Sequence, residues 1–192
     1  MRKLYEKNEL TFAIVWIVIY CVLQSLANPL NEKIGVEYSA SAIFSILQSV
    51  ILLVFIRKNN LLKRYGLCKS PISASRFLFY IPLIILATRN FWNGAAFNLN
   101  LAGTVCYIAC MLWVGFLEEV IFRGLLFKAI AKDNVKTAII ISSVTFGLGH
   151  LLNLVNGSGA GIAENLLQVT GAIAIGFLFV IQIGRASCRE RV

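Results

Sequence analysis

The chain is predicted to be all-α, a polytopic bundle of membrane-spanning helices. Three observations carry that prediction. Of its 192 residues, 58% are hydrophobic and only 14% charged. The mean hydropathy is +0.78, far outside the range of soluble domains. Apolar runs of about 20 residues, the length of helix that crosses a bilayer, recur along the sequence.

Six such runs lie at residues 9–27, 39–56, 77–93, 101–127, 136–155 and 162–182. The third is the weakest, because Pro82 interrupts a short apolar core. The first follows Arg2 and Lys3 and closes on Ser25-Leu26-Ala27, which resembles a cleavable secretory signal. Its apolar run is long for a signal core, and Glu6 and Glu9 dilute the basic flank, so it is expected to stay as the first span. No repeat, low-complexity tract or linker divides the chain, and residues 1–182 read as one transmembrane domain.

Basic residues set the orientation. With the N-terminus cytoplasmic, the inside segments hold Arg2, Lys3 and Lys7, then Arg57, Lys58, Lys63, Arg64, Lys69 and Arg76, then Lys128, Lys132 and Lys136. The outside segments hold Lys33 and Arg89, so the positive-inside rule favours this topology. The same rule, with attraction to anionic lipid, accounts for the net charge of +9. The bilayer is therefore the expected partner. Nucleic-acid binding is excluded, because the basic residues sit in short loops without a basic helix face or aromatic platform. Cys106 and Cys110 lie four apart on one helix face, no C-x-x-C pair occurs, and the five cysteines read as packing residues.

The last ten residues, Ile183-Gly-Arg-Ala-Ser-Cys-Arg-Glu-Arg-Val192, are expected not to be native. They back-translate as ATC-GGA-AGA-GCG-TCG-TGT-AGG-GAA-AGA-GTG, which matches a common short-read sequencing adapter. Setting aside 183–192 removes three arginines and one glutamate, and the net charge becomes +7. On this reading the chain is a C-terminally truncated fragment whose further helices are missing.

The fourth run carries the chemistry. Glu118 and Glu119 stand side by side within it, and Arg123 follows. Each ionisable residue near the bilayer centre costs about 2.5–3.5 kcal/mol on insertion scales, so the three mark a bundle interior or a hydrated cavity. On an α-helix Glu119 and Arg123 are i, i+4, about 40° apart, and can pair. Glu118 projects about 100° from Glu119 and is the less neutralised carboxylate. Desolvated beside a second carboxylate, it suits a general base that takes a proton from water near neutral pH.

The fifth run holds the single histidine, His150, with Phe146 one turn before it. The two rings share a face, so the aromatic can hold the imidazole. Ser143, Gly147 and Gly149 make this helix thin enough for close approach to a neighbour. A short connection with Asp133 and Asn134 predicts that the fourth and fifth helices run antiparallel. Glu118 and His150 then lie about 27 and 21 Å from Lys136 along ideal helices, at similar depth. Either an interhelical histidine or a packing ion pair alone would be ordinary. Two carboxylates, an arginine and a histidine on successive spans point to a site. Glu164, Asn165 and Gln168, opening the sixth span, read as interfacial polar residues, with Gln168 the one that could line a cavity.

Glu118-Glu119-Val-Ile-Phe-Arg123 fits E-E-x-x-x-R, and Phe146-Gly-Leu-Gly-His150 fits F-x-x-x-H. In this order, on consecutive membrane helices, they resemble the first two motifs of the CPBP family of intramembrane proteases. That family includes CAAX prenyl endopeptidases of the Rce1 type and bacterial Abi proteins linked to bacteriocin processing and self-immunity. The resemblance covers residues 100–182, which would form the protease-like core. It implies a glutamate-dependent endopeptidase, often described as a metalloprotease, acting on a peptide or protein substrate. By position, Glu118 would activate the attacking water, His150 would help to hold it, and Glu119 and Arg123 would be the supporting ion pair. For a prokaryotic source, the setting is the bacterial plasma membrane and a bacterial peptide is the expected substrate.

The family's third motif, H-x-x-x-N or H-x-x-x-D, is missing. Four residues beyond His150 stands Leu154, and Asn153 and Asn156 are out of register. Truncation at the adapter explains this, leaving a competent parent protein and an inactive fragment. Metal use stays open: zinc takes three or four ligands, and Glu118, Glu119 and His150 are offered without H-E-x-x-H. A metal-free, glutamate-activated water fits equally. Two non-proteolytic readings also stand. One is a membrane immunity or scaffold protein that binds a peptide or protein partner. The other is a transporter with Glu118 and His150 as a proton relay, which ranks lower because no repeat symmetry is visible.

Overall fold

The computed structural model describes residues 1–68, 81, 85, 88, 92, 98–155 and 161–189, and all of its described elements are helical. The span expected at 77–93 falls almost wholly outside these residues. A short helix, α1 (Arg2–Lys7), leads into α2 (Glu9–Ile34) and α3 (Ser39–Lys58). Then come α4 (Leu101–Glu118), a π-helical segment (Glu119–Leu126) and α5 (Phe127–Ile130), which together form one 30-residue rod. After it come α6 (Val135–Gly149), α7 (Leu152–Val155) and α8 (Ile162–Arg189). Among the described residues, four helices are long and apolar enough to cross a membrane: Glu9–Ile34, Ser39–Lys58, Leu101–Ile130 and Ile162–Ile181. The protein is an integral membrane helix bundle.

Asparagines open three of these helices. The Oδ1 atoms of Asn8, Asn100 and Asn134 accept from the backbone N–H of Thr11, Gly103 and Thr137 at 2.9, 2.7 and 3.1 Å. Each satisfies a donor that the first helical turn leaves free. The first span outruns its expected end at residue 27, continuing through Pro29 to Ile34. It stops at Gly35, whose φ of 73° is left-handed and favours glycine. The extra turns carry Asn31, which accepts from the Ala40 N–H and donates to Ser41, fixing the α2–α3 hairpin. Gln24 donates to Ser45 lower on the same seam, at 2.9 Å.

The core lies towards one end of the bundle. Phe12 and Trp16 of α2 meet Leu52, Phe55 and Ile56 of α3, together with Leu117, Ile121, Phe122 and Leu125 of the long rod. Tyr5 stands edge-on to both Phe12 and Phe55, with centroids 5.4 Å apart in each case. Tyr65 donates to the Tyr5 hydroxyl at 2.9 Å. Burial pushes the Tyr65 phenol well above its ordinary range, with the Tyr5 hydrogen bond adding to it. At this end Glu9 accepts from Arg64 at 2.6 Å and pairs with Lys132 at 2.8 Å, drawing three segments together.

One expectation needs correction. The predicted fifth span, 136–155, is not a single helix: α6 ends at Gly149 after 15 residues and α7 adds a separate four-residue turn. The cause is local. His150 N–H and Leu151 N–H bond to Gly147 and Leu148, i to i−3, so the turn tightens where two glycines weaken the helix. His150 therefore caps α6 rather than sitting within a span.

The rest of α6 packs closely on α8. A Cβ at Gly147 would lie 2.2 Å from Ile173 Cγ1 and 3.0 Å from the Val169 carbonyl, and one at Gly176 would lie 3.1 Å from Ser143 Cα. Gly149, also expected at the contact, has nothing within 4 Å. Close approach thus rests on Gly147, Gly176 and Ser143, as small residues allow between membrane helices. Gly147→Ala should overpack this seam and lower stability by about 1–3 kcal/mol, measurable by denaturant titration in detergent micelles.

Candidate functional site

The segment that carries both glutamates is not a regular α-helix. From Glu119 to Leu126 the backbone is π-helical, and the Phe127 N–H bonds five residues back to the Phe122 carbonyl. The expectation of one continuous α-helix through E-E-x-x-x-R is corrected accordingly. Ser142 of α6 donates to that same Phe122 carbonyl at 2.8 Å, so a neighbouring helix supports the widened turn. Such π segments in otherwise α-helical rods recur at functional sites. Here the change of winding falls between the two glutamates, whose side chains face different surroundings.

Glu119 stays with Arg123. Its Oε1 lies 3.5 Å from Arg123 Nη1, and the carboxylate side chain is 50% exposed while the guanidinium is 3% exposed. Among the described residues no hydrogen bond reaches the Arg123 nitrogens. What holds the cation instead is the Phe146 ring, whose centroid lies 3.8 Å from the guanidinium carbon. A desolvated contact of this kind contributes about 2 kcal/mol.

Phe146 does more than hold the imidazole. Its ring stands edge-on to His150 at 5.2 Å and to Phe122 at 5.4 Å. It thus ties the arginine of one motif to the histidine of the other. His150 Nδ1 lies 3.2 Å from the Phe146 carbonyl. A carbonyl only accepts, so Nδ1 is the donor in that contact and Nε2 is the ring nitrogen turned away from it.

Glu118 faces the other way, into a cavity of about 390 Å3 whose lining includes His150, Phe146, Gln24 and Gln168. One carboxylate oxygen, Oε1, accepts from the Tyr20 hydroxyl of α2 at 2.7 Å. Tyr20 was not singled out in the sequence. Its signal was present but weak: a phenol midway along an apolar span, with Gln24 and Asn28 following at helical spacing on the same face. Gln168 lines the cavity, as one of the two expectations for it allowed. Asn165 departs from the interfacial reading: it is buried, donating to the Gly161 carbonyl at 3.0 Å. Glu164 is exposed and accepts from the Gly161 N–H. Leu154 belongs to α7, and Asn156 lies outside the described residues.

A metal fits this arrangement poorly. Glu118, His150, Cys21 and Cys110 line the cavity, but no three His, Cys, Asp or Glu gather closely enough to hold an ion among the described residues, and Glu119 pairs with Arg123. Zinc takes at least three protein ligands.

Residues 100–186 match the family model described as type II CAAX prenyl endopeptidase Rce1-like. The match spans both glutamates, Arg123 and His150, and supports the membership that the two motifs suggested. No curated protein and no solved structure matches the chain.

Tyr20→Phe removes the donor to Glu118 while keeping the ring. Hydrogen bonds between membrane helices are worth about 0.6 kcal/mol on average and up to about 1.7. With a carboxylate as acceptor, the loss should fall in the upper part of that range. Unfolding of the variant and of Tyr20→Phe/Glu118→Gln in a double-mutant cycle measures the coupling.

Proposed function

We propose, from the premise that residues 100–186 belong to the Rce1-like family of intramembrane proteases, that the parent protein is an endopeptidase using Glu118 to activate water. The observation that supports this best is the shared cavity. A carboxylate with one oxygen steered by Tyr20 and a histidine face the same cavity inside an apolar bundle.

The chemistry follows from those atoms. Glu118 Oε1 is taken by Tyr20, so Oε2 is the oxygen that receives a proton from water. Nε2 of His150 accepts the second water hydrogen and fixes the nucleophile between the two groups. The water oxygen attacks the peptide carbonyl carbon, its proton passes to Glu118, and a tetrahedral intermediate forms. Collapse breaks the C–N bond, and Glu118 returns the proton to the departing amine. Glu119 and Arg123 take no proton in this scheme; with Phe146 they position the turn that presents Glu118. We place the oxyanion donors on the family's third motif, on a helix encoded beyond residue 182, with residues 183–192 as adapter translation.

Two experiments test the proposal. In the full-length protein, Glu118→Gln should reduce cleavage of an internally quenched peptide by about 10²–10⁴-fold, the usual contribution of a general base, while unfolding shifts by no more than the Tyr20 hydrogen bond contributes. A biological effect that survived this substitution would instead mark a scaffold or immunity protein. Sequencing the gene past codon 182 should reveal a further apolar helix bearing H-x-x-x-N or H-x-x-x-D. A stop codon after Val192 would refute the truncation.

A further inference from the structure

We propose that the groove between α1 and the end of α3 binds one anionic phospholipid, its phosphate held by Lys58 and Arg2 and an acyl chain lying along Val50, Ile51 and Val54. The groove shares no lining residue with the Glu118 cavity, and the proposal does not depend on the peptidase reading.

The groove is built by α1. Asn8, extended at φ −159° and ψ 108°, breaks the helix between Lys7 and Glu9. Tyr5 then packs edge-on against Phe55 of α3, within the core that both share with Phe12. That contact brings the start of α1 to α3 and leaves a groove of about 660 Å3. Arg2 lines it from α1, and Val50, Ile51, Val54 and Lys58 line it from α3.

Its lining changes character with depth in the membrane. The 20 residues of α3 span about 30 Å, the thickness of the hydrocarbon core, so Lys58 at its end reaches headgroup level. Val54, Ile51 and Val50 lie about 6 to 12 Å deeper. They are 45%, 39% and 43% exposed, although Leu52, Phe55 and Ile56 beside them are buried. An apolar wall open to the acyl region and topped by cations matches the two ends of a phospholipid. A free phosphate would use only the top of it.

The charge at that top is net positive. Among the described residues no carboxylate pairs with Lys58. Arg2 donates its Nε–H to Glu6 at 2.8 Å in a pair exposed to water, which leaves both Nη groups outside that bond. Arg57 adds a third cation in the last turn of α3. The three outweigh the Glu6 carboxylate and the roughly half negative charge at the α3 C-terminus. A second copy docking by the same face would set Lys58 and Arg2 against their own counterparts, which like-charge repulsion disfavours.

Native mass spectrometry of the full chain tests this, in micelles supplemented in turn with dioleoylphosphatidylglycerol and dioleoylphosphatidylcholine. Preferential retention of phosphatidylglycerol is expected, about five-fold weaker in Lys58→Gln and weaker again in Lys58→Gln/Arg2→Gln. Val54→Trp, which fills the apolar wall and leaves every charge in place, should weaken retention as well. All three positions are exposed, and circular dichroism verifies that the variants fold. Glycerol phosphate, which carries the anion without acyl chains, should not displace the lipid. A loss with Lys58→Gln while Val54→Trp is unaffected would reduce the effect to general surface attraction and overturn the site. Equal retention in every variant, or a second copy of the chain bound in place of lipid, would overturn it too.

Discussion

A guanidinium almost wholly removed from solvent sets the terms on which these helices meet. Arg123 lies in a buried segment of otherwise mostly apolar side chains, and desolvating a cation costs several kcal/mol unless charge and polarisable surface surround it. Glu119 offers the charge from the same rod, and Phe146 offers a ring face from the next helix. Neither is sufficient alone: the carboxylate stands at 3.5 Å and is half exposed. The ring must therefore be in place, and placing it fixes the rotation of α6 against the rod. His150, one turn on from Phe146, is positioned by the same requirement.

One stretch of chain serves two surroundings. A regular α-helix already sets consecutive residues 100° apart, which sends Glu118 and Glu119 to different faces, and the π segment begins at Glu119. Glu119 stays beside Arg123, while Glu118 reaches across to α2. The widened turn has its own cost, and Ser142 offsets part of it by donating to the Phe122 carbonyl. Function-bearing irregularity is here supported from outside the segment, by a buried hydroxyl that contributes nothing to the cavity.

Much of this was legible from sequence because the signals were local. Hydropathy marks the long helices, asparagine caps their starts, and the spacing of Glu119 and Arg123 announces a pair. Phe146 and His150 at i, i+4 likewise fall on one face. What could not be read was non-local or depended on subtle backbone energetics. Tyr20 looks like one more aromatic in an apolar run until the fold brings it to Glu118, 98 residues away. The π winding leaves the residue spacing of E-E-x-x-x-R unaltered, so no periodicity betrays it. The early end of α6 was foreshadowed by Gly147 and Gly149, but the same glycines were equally consistent with close packing, and only Gly147 serves that purpose.

The bond from Tyr20 to Glu118 also bears on how the protein is made. Ribosomes deliver α2 to the membrane well before the rod that bears the glutamates. When Glu118 arrives, the phenol is already lodged in the bilayer, and the carboxylate exchanges a hydrated environment for a waiting donor rather than for lipid. The first long helix thus precedes, in order of synthesis, the acidic turn that it hydrogen-bonds. A polypeptide beginning after α3 would have to insert its acidic turn without that partner.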